Sequence, residues 1–487
     1  MVAVILKGRR VITSDFTQEQ LQDVRVLANV LRSAFQIHEM NREEIMYLID
    51  YKNGVQPILN KVKTVRPEIN NTLVLNHAQM TTRMINGYFL GNPIQYILSG
   101  DSDKKKAIDD LNRYVQYEDK ASVDKEIGDF QSITGTAYRI IYKDGIFGDE
   151  VPFEDKALHP ANAFVVYENS ISSKPLVGVT YHSILNEKNQ YAGKKVYAYT
   201  EFGVFTFVVR DNNVVTEEAI MAGTFESYKV GGVPIIEYPN NVWRIGDWEL
   251  LIGLMDAINA LHSGRMDDIE QVVQSLIVFI NAEIDEERYN EMREAGVVLL
   301  KNTSGNNADV DTIETSLDQS GMNMFAQELE ELLYALIGIP SRSNRAGGGG
   351  DTGMAVELRD GWADLEIVAR NKELAFKKSE KQALKIILTM FNSQRTDKLS
   401  LMDIDIKFTR NKNNNLLVKT QSYETLLRTK TLTPADCLTI VDLVSDVNEY
   451  ISRGEAFWKD EFALKQTEQT EPSNQSLNTQ REPVTNE

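Results

Sequence analysis

Apolar residues recur at helical spacing near the start of the chain. Within residues 17–60 the apolar positions lie three to four apart, which predicts a helix with one buried face followed by turns; these positions are Leu21, Val24, Ala28, Leu31 and Phe35. The first dozen residues show no such pattern, and we expect them to be loose. Residues 101–124 are highly charged, and Lys104, Lys105 and Lys106 favour a solvated helix over a phosphate site.

The pattern changes over residues 135–236. Short runs of β-branched and aromatic residues, such as VYAYT and VFTFVVR, are broken by Gly, Asn and Asp. This alternation predicts antiparallel hairpins. The run PIIEYPNN from Pro234 predicts a last strand and a turn, and helical spacing resumes at Asp247. We therefore expect a domain boundary at the turn.

Residues 247–276 have the spacing of one long helix. At about 100° per residue, a polar stripe contains Glu249, Asp256, Ser263, Asp267 and Gln274. The opposite stripe contains Leu251, Leu254, Ile258, Ile269, Val272 and Leu276. Such a helix is expected to turn one face to a partner and the other to water or to a charged molecule.

A small α/β insert is predicted after this helix. Strand-like runs begin near Val278, Gly296 and Asp309, with a charged helical patch at 285–294. A second amphipathic helix is predicted over 316–339, and it carries Asp318, Glu328, Glu330 and Glu331 but no basic residue. Two acidic helices would therefore flank the insert.

The remainder of the chain is predicted to be mainly helical. Pro340 ends the second helix, and SRSNRAGGGGDTG at 341–353 predicts a mobile loop, because four consecutive glycines destabilise regular structure. A long helix with a kink at Gly361 is expected over 354–391, then a strand from Asp403 and helices over 415–427 and 433–450. Residues 466–487 are almost wholly polar and are expected to be disordered. The predicted fold class is α+β.

Charge and cysteine content narrow the function classes. The 52 Lys+Arg against 71 Asp+Glu give a formal charge of −19, the wrong sign for a protein that grips DNA through its phosphates. Any DNA contact should be weak, local or repulsive. A single cysteine, Cys437, excludes an intrachain disulfide. The sequence shows neither a signal peptide nor a run of eighteen apolar residues, so we expect folding in the cytosol and no membrane span.

No complete catalytic motif is present. The segment around Gly193 lacks the glycine and hydroxyl residue of a phosphate-binding loop, and the glycines from Gly347 are followed by no lysine. Asp267, Asp268 and Glu270 could suggest a metal-dependent nuclease, but in a helix Asp268 points about 100° away from Asp267 and His262 about 140° away from it. An exposed helix face is the favoured interpretation. Cys437 has no paired histidine and should be a packing residue, and no enzyme activity, metal or cofactor is predicted.

Five blocks of sequence resemble the portal proteins of tailed bacteriophages, of the type found in phages with long non-contractile tails. They are GYFLGNPIQY from Gly87, TGTAYRIIY from Thr134, PIIEYPNN from Pro234, RIGDWELLIGLMDAINALHSGRMDDIEQ from Arg244 and FTRNKNNNLLVKTQ from Phe408. The block from Arg244 is the most specific.

The resemblance implies a portal fold with an α/β wing, a mainly helical stem and crown, and a small α/β clip. It implies a wing at 1–246, stem helices at 247–275 and 317–339, a clip at 276–316 and a tunnel loop at 340–353. The wing would continue as a long helix and strand at 354–410, and the crown would span 411–465, before the disordered tail at 466–487.

The resemblance also implies function and partners. The family forms a ring, usually of twelve subunits, at one capsid vertex of the virion, and double-stranded DNA passes through it during packaging and ejection. Terminase, scaffold, major capsid protein and head-completion or adaptor proteins would be partners, with assembly in the host cytoplasm. The alternatives are a metal-dependent nuclease and a non-viral ring or scaffold adaptor.

The resemblance implies a role for the acidic stripes as the lining of the DNA channel. An acidic lining would let a duplex slide, whereas a basic lining would hold its phosphates. The residues expected to face the channel are Glu249, Asp256, Asp267, Glu270, Glu328 and Glu331. Arg342 and Arg345 are the cations of the tunnel loop that are expected to contact a DNA phosphate. The expected tunnel loop comprises Ser341, Arg342, Ser343, Asn344, Arg345, Gly347, Gly348, Gly349, Gly350 and Asp351.

Overall fold

Helices and strands follow the apolar pattern along most of the chain. The structure, a computed structural model, describes residues 8–99, 104–142, 152–210, 214–273, 276–280, 287, 290–291, 309–313, 319–340, 362–393, 395–410, 416–429, 432–441, 447, 450–451 and 453–459. Its α-helices are α1 (Val24–Lys52), α2 (His77–Phe89), α3 (Lys105–Tyr117), α4 (Lys120–Thr134), α5 (Glu217–Met221), α6 (Ile252–Val273), α7 (Gln319–Ile337), α8 (Trp362–Asn392), α9 (Leu416–Arg428) and α10 (Pro434–Val441).

The strands form several small sheets. They are β1 (Ile12–Ser14), β2 (Gln95–Leu98), β3 (Thr136–Tyr142), β4 (Glu154–Leu158), β5 (Ala163–Glu168), β6 (Pro175–Leu185), β7 (Tyr191–Tyr199), β8 (Gly203–Val209), β9 (Thr224–Ser227), β10 (Ile235–Pro239), β11 (Leu276–Ile280), β12 (Asp309–Ile313) and β13 (Ile404–Lys407). Six strands pair in the order β1-β5-β6-β7-β8-β9, three in the order β10-β3-β4, and β11-β12 and β13-β2 form two separate pairs.

The predicted α+β class and the antiparallel hairpins of residues 135–236 are confirmed. Strands β5 to β9 pair with their neighbours antiparallel, as do β10, β3 and β4. Strand β1 is the exception, because it adds to β5 in parallel. The expectation of a loose first dozen residues is therefore wrong for residues 8–12, since Ile12 pairs with Val166 and Arg9 is buried.

The three-stranded sheet separates two hydrophobic cores. Successive side chains of a strand point to opposite faces, so Tyr138 and Ile140 of β3 join a core with α1 and the six-stranded sheet. Ala137 and Ile141 join a second core, built from α2, α3, α4, α6, α7 and α8. The helix at residues 24–52 supplies the first core through positions three or four apart, such as Leu27 and Leu31.

A buried ionic cluster holds α8 against the β3 sheet. Arg139 lies on the β3 face that points into the second core and contacts Asp124, Asp155 and Glu380, while Lys120 bonds Asp124 and Glu380 at 2.6 and 2.8 Å. All five side chains are almost fully buried. Removing one partner of such a cluster would leave an uncompensated buried charge, so the cluster fixes how α8 docks.

The predicted solvated helix at 101–124 is only partly correct. The segment forms α3 and the start of α4, and Lys105 and Lys106 are exposed as expected. Lys120 and Asp124, however, belong to the buried cluster. The chain divides into two compact units, Met1–Asn411 and Lys412–Glu487.

Candidate functional site

The most specific sequence block begins in the turn between β10 and α6. Arg244 adopts a left-handed backbone conformation with φ of 55°. Its guanidinium donates to both carboxylate oxygens of Glu237, at 2.7 and 2.9 Å. Burial acts to raise the pKa of Glu237, but Arg244 and hydrogen bonds from Tyr167 and Thr136 outweigh it and hold this pKa below its ordinary value. The ion pair thus ties the turn to β10, and hydrogen bonds to Glu237 connect it with β3 and β5.

Two glycines let this turn lie directly on backbone. Gly135 has φ of 76°, and a Cβ there would overlap the carbonyl oxygen of Arg244. Gly8 has φ of 78°, and a Cβ there would overlap the carbonyl oxygen of Trp243. Positive φ and the lack of space both require glycine, which gives Gly135 in the TGTAYRIIY block a structural reason.

The start of α6 is anchored by the N-terminal segment. Arg9 bonds Glu249 at 2.6 Å and Glu44 at 2.9 Å, and it donates to the carbonyl of Thr134 at 3.3 Å. Burial raises the pKa of Glu249, and Arg9 acts against that rise. The Glu249 carboxylate is therefore enclosed by its own chain.

Two further contacts fix the same junction. Lys372 of α8 donates to Asn240 at 2.7 Å and to Asp247 at 2.8 Å. The buried Trp248 stacks on Tyr51 and donates its indole N–H to Thr82 at 3.0 Å. The junction therefore joins β10, α1, α2 and α8 to residues 247–249, which lead into α6.

A segment that sequence analysis did not single out covers the polar stripe of α6. We call residues 53–76, between α1 and α2, the strap. Three successive turns of α6 form a ladder of hydrogen bonds with the strap. Asn259 accepts from the Leu75 amide at 2.8 Å and donates to Gln56 at 2.6 Å. Ser263 accepts from the Leu73 amide at 2.9 Å, and Asp267 accepts from the Asn71 amide at 2.6 Å.

The acidic residues of this stripe are paired within the chain. Lys61 and Lys63 donate to Asp267 at 2.7 and 3.2 Å. Burial acts to raise the pKa of Asp267, but the hydrogen bonds from Lys61 and Asn71 hold it below its ordinary value. Tyr51 donates to Asp256 at 2.9 Å, and Asn71 donates to Glu270 at 2.9 Å.

The expectation that the polar stripe faces water or a channel is therefore wrong for Glu249 and Asp267, which are buried within the subunit. Asp256 and Glu270 are half-buried. Apolar residues of α6 such as Met266 and Ile269 are partly exposed instead. The periodic pattern over residues 247–276 located the two faces, but it could not show that a polar strap covers one of them. The sequence signal was the basic run KVKTVR at 61–66 in an acidic chain.

Helix α7 lies against another face of α6. His262 contacts Glu330 at 3.3 Å, and Leu333 and Ile337 join the core that contains Met255 and Ile258. The exposed side of α7 has two adjacent stripes. Phe325, Leu332 and Leu336 form an apolar stripe with spacings of seven and four, and Glu328 and Glu331 lie beside it.

A strand pair joins the far ends of the two helices. Strand β11 begins three residues after α6, and it pairs antiparallel with β12 from Leu276↔Ile313 to Ile280↔Asp309. Strand β12 is followed by α7, so the chain leaves along α6, forms the pair and returns along α7. The predicted strands near Val278 and Asp309 are confirmed, while the predicted strand at Gly296 lies outside the described residues.

Several expectations fall outside the described residues. They are the tunnel loop from Ser341 to Asp351, Gln274, the kink at Gly361 and the tail at 466–487. Within the described parts of the chain, no group of three or more His, Cys, Asp or Glu could hold a metal ion. Cys437 is buried, as its packing role requires. No helix among the described residues has the length and apolar character to cross a membrane.

Comparison with known proteins gives three findings. The family model described as "Phage portal protein, SPP1 Gp6-like" matches residues 32–460. The portal protein of Bacillus phage SPP1 is 24% identical over 299 residues, which are 57% of this chain and 55% of that protein, so the match spans about half the length of that relative. A solved structure titled "Neck of empty GTA particle computed with C6 symmetry" covers 76% of this chain and 90% of its own, with 11% identity and a TM-score of 0.44.

Proposed function

The chain belongs to the family of SPP1 Gp6-like phage portal proteins, and on that premise we propose that it forms a homo-oligomeric ring at one capsid vertex. Double-stranded DNA passes through this ring during packaging and ejection. The observation that carries the proposal is the path of the chain through α6, the β11-β12 pair and α7, in which two packed helices are followed at their far ends by paired strands. A ring of such helix pairs encloses a channel.

We propose the family layout for this chain. Residues 1–246 and 354–410 form the wing, 247–275 and 317–339 the two stem helices, 276–316 the clip, 340–353 the tunnel loop and 411–465 the crown. Twelve subunits complete the ring, and rotation closes it through heterologous contacts. Terminase, scaffold, major capsid protein and head-completion proteins are the proposed partners, and the ring is proposed to assemble in the host cytoplasm.

The proposed role is structural rather than catalytic. The paired carboxylates that could have suggested a nuclease are engaged by protein groups: Asp267 by Lys61, Lys63 and Asn71, and Glu270 by Asn71. A two-metal site needs carboxylates that are open to ions. This bonding favours the channel role over the nuclease role.

We propose that α7 supplies the acidic lining among the described residues. Glu328 and Glu331 are exposed and lie on one stripe, whereas Glu249 and Asp267 are buried inside the subunit. Carboxylates repel the phosphates of a duplex and so prevent it from being held. The loop arginines Arg342 and Arg345 are proposed as the nearby cations that touch a phosphate.

The ring is tested by negative-stain electron microscopy of the purified protein. We expect rings with a central hole that admits duplex DNA. A compact monomer at every concentration would contradict the proposal.

The acidic lining on α7 is tested with a variant that carries both Glu328→Lys and Glu331→Lys. Measured per assembled ring, the yield of packaged DNA should fall by about tenfold or more, because lysines bind the passing phosphates. Glu43→Lys on α1 is the matched control, since Glu43 is an exposed helical glutamate outside α6 and α7. Unchanged packaging by the double variant would contradict an acidic lining on α7.

The loop is tested by replacing Arg342 and Arg345 with alanine. Packaging or DNA retention should fall if these arginines touch a phosphate. A variant that packages and retains DNA as well as the unmodified protein would exclude this role.

A further inference from the structure

The strap has an inverted arrangement of polar and apolar side chains. Its polar groups face α6 through the hydrogen bonds described above, and several of its apolar side chains face outward, although Ile69 is buried. Val62 is 84% exposed and Val65 is 73% exposed, and Val55 and Leu59 are also exposed. A segment that folds back on its own chain would ordinarily bury its valines and solvate its lysines, so the outer side of the strap requires a partner.

A matching surface lies on α7. Its apolar stripe of Phe325, Leu332 and Leu336 is left exposed by the residues that the structure describes, and Phe325 is 52% exposed. The strap contacts the α6 face with Asn259 and Ser263, while α7 contacts the α6 face with His262. These faces lie roughly a third of a turn apart around α6 at about 100° per residue. One subunit therefore presents the two surfaces on different sides, as a head-to-tail contact requires.

The strap and α7 differ in the sign of their net charge, although Lys61 and Lys63 also bond Asp267 of their own subunit. The strap carries Lys61, Lys63 and Arg66 and one acidic residue, Glu68. Helix α7 carries Glu328, Glu330 and Glu331 and neither lysine nor arginine. The whole chain has a formal charge of −19, so the net positive charge of the strap is opposite in sign to that of the chain. Apolar contacts with opposite charges at the rim are typical of specific protein interfaces.

We propose that the strap of one copy docks through Val62 and Val65 onto the apolar stripe of α7 in the neighbouring copy. This contact rests on the proposed ring function and specifies which surfaces meet in it. Glu328 and Glu331 lie on the adjacent stripe of α7, so one helix serves both the neighbour and the channel. Because the strap is also bonded to α6, each neighbour braces the stem helix of the next subunit through the strap.

The test uses two complementary variants of the full chain. The first carries Val62→Glu and Val65→Glu, and the second carries Phe325→Lys and Leu332→Lys. Each alone buries unpaired charges at every interface, so ring yield in negative stain or mass photometry should fall roughly tenfold or more. Mixed in equal amounts, the first supplies glutamates to the lysines of the second, and the second supplies unmodified valines to the unmodified stripe of the first. Rings should return in the mixture.

Controls separate docking from misfolding. All four positions are exposed in the single chain, so each variant should keep its unfolding temperature within about 2 °C. Ile171→Asp, in the turn between β5 and β6, is the matched exposed control and should form rings normally. Rings from either variant alone would overturn the strap contact, and so would two defective variants that fail to rescue each other. Absence of rings from the unmodified chain would instead contradict the proposed function.

Discussion

At the scale of single residues, two glycines lie in contrasting surroundings, one packed against backbone and one on an open helix surface. Gly135 has φ of 76° and lies against the Arg244 carbonyl, whereas a Cβ at Gly264 in α6 would meet nothing within 4 Å. The same substitution should therefore have opposite effects at the two sites.

Gly135→Ala should lower the free energy of unfolding by about 2 kcal/mol or more, because the new Cβ overlaps backbone and the conformation is strained. Gly264→Ala should raise it by roughly 0.5–1 kcal/mol, because alanine lowers the entropy lost in forming a helix. Urea unfolding followed by circular dichroism measures both. Equal shifts in the two variants would contradict the proposed backbone contact.

Asp155 is the surplus carboxyl group of the buried cluster. Lys120 and Arg139 face three carboxyl groups, those of Asp124, Asp155 and Glu380. Burial raises the pKa of Asp155 to about 6 from an ordinary value of 3.8, although Arg139 acts to lower it. The folded protein therefore holds a proton between about pH 4 and pH 6 that the unfolded chain releases.

Stability contributed by a raised pKa is present below the unfolded value and is lost as pH rises through the folded value. The unmodified protein should therefore lose on the order of 1–3 kcal/mol relative to Asp155→Asn between pH 4 and pH 7. Thermal unfolding of both proteins across this range measures the difference. Parallel pH profiles would show that Asp155 does not bind this proton.

At the scale of elements, the strap and α6 share a contact made largely of polar groups. Asp267 accepts from both lysines of the strap and from the Asn71 amide. Hydrogen bonds to a charged acceptor are stronger than neutral ones, so Asp267 is the main attachment of the strap.

Asp267→Asn should loosen the strap, and amide hydrogen exchange in residues 56–75 should accelerate on the order of tenfold. Asp405→Asn is the matched control, because Asp405 also pairs with a lysine, Lys377, but is exposed. Exchange in 56–75 should be unchanged in the control. Equal exchange in the two variants would show that Asp267 does not hold the strap.

Local periodicity predicted most elements but not which face of a helix is covered. The hairpins of 135–236 and the helices α6, α7 and α8 follow from spacing alone, since that signal lies within each segment. The pairing of Arg9 with Glu249 joins residues 240 apart and leaves no local pattern. The polar face of α6 was expected to be exposed to water. It is instead covered by the strap, whose polar groups form hydrogen bonds with it. The prediction failed for Glu249 because Arg9 pairs with it, and for Asp267 because the strap covers it.

At the scale of the whole molecule, the formal charge of −19 opposes association between copies. Salt screens this repulsion, since the screening length falls from about 30 Å at 0.01 M to about 10 Å at 0.1 M. Ring assembly should therefore improve from very low to moderate salt. Mass photometry across this range measures the ring fraction, and a steady decline with salt would contradict the prediction.

The residues of the buried ionic cluster are synthesised at different times. Arg139 and its partner Glu380 are 241 residues apart, and a ribosome adds about 5–20 residues per second. The arginine is therefore made roughly 12–50 s before Glu380, one of its three carboxylate partners. During that interval the second core lacks α8 and the cluster lacks Glu380. The surfaces of α6 and the strap are consequently not fixed on a nascent chain, so completed chains, rather than neighbours still on a polysome, are the species that can enter a ring.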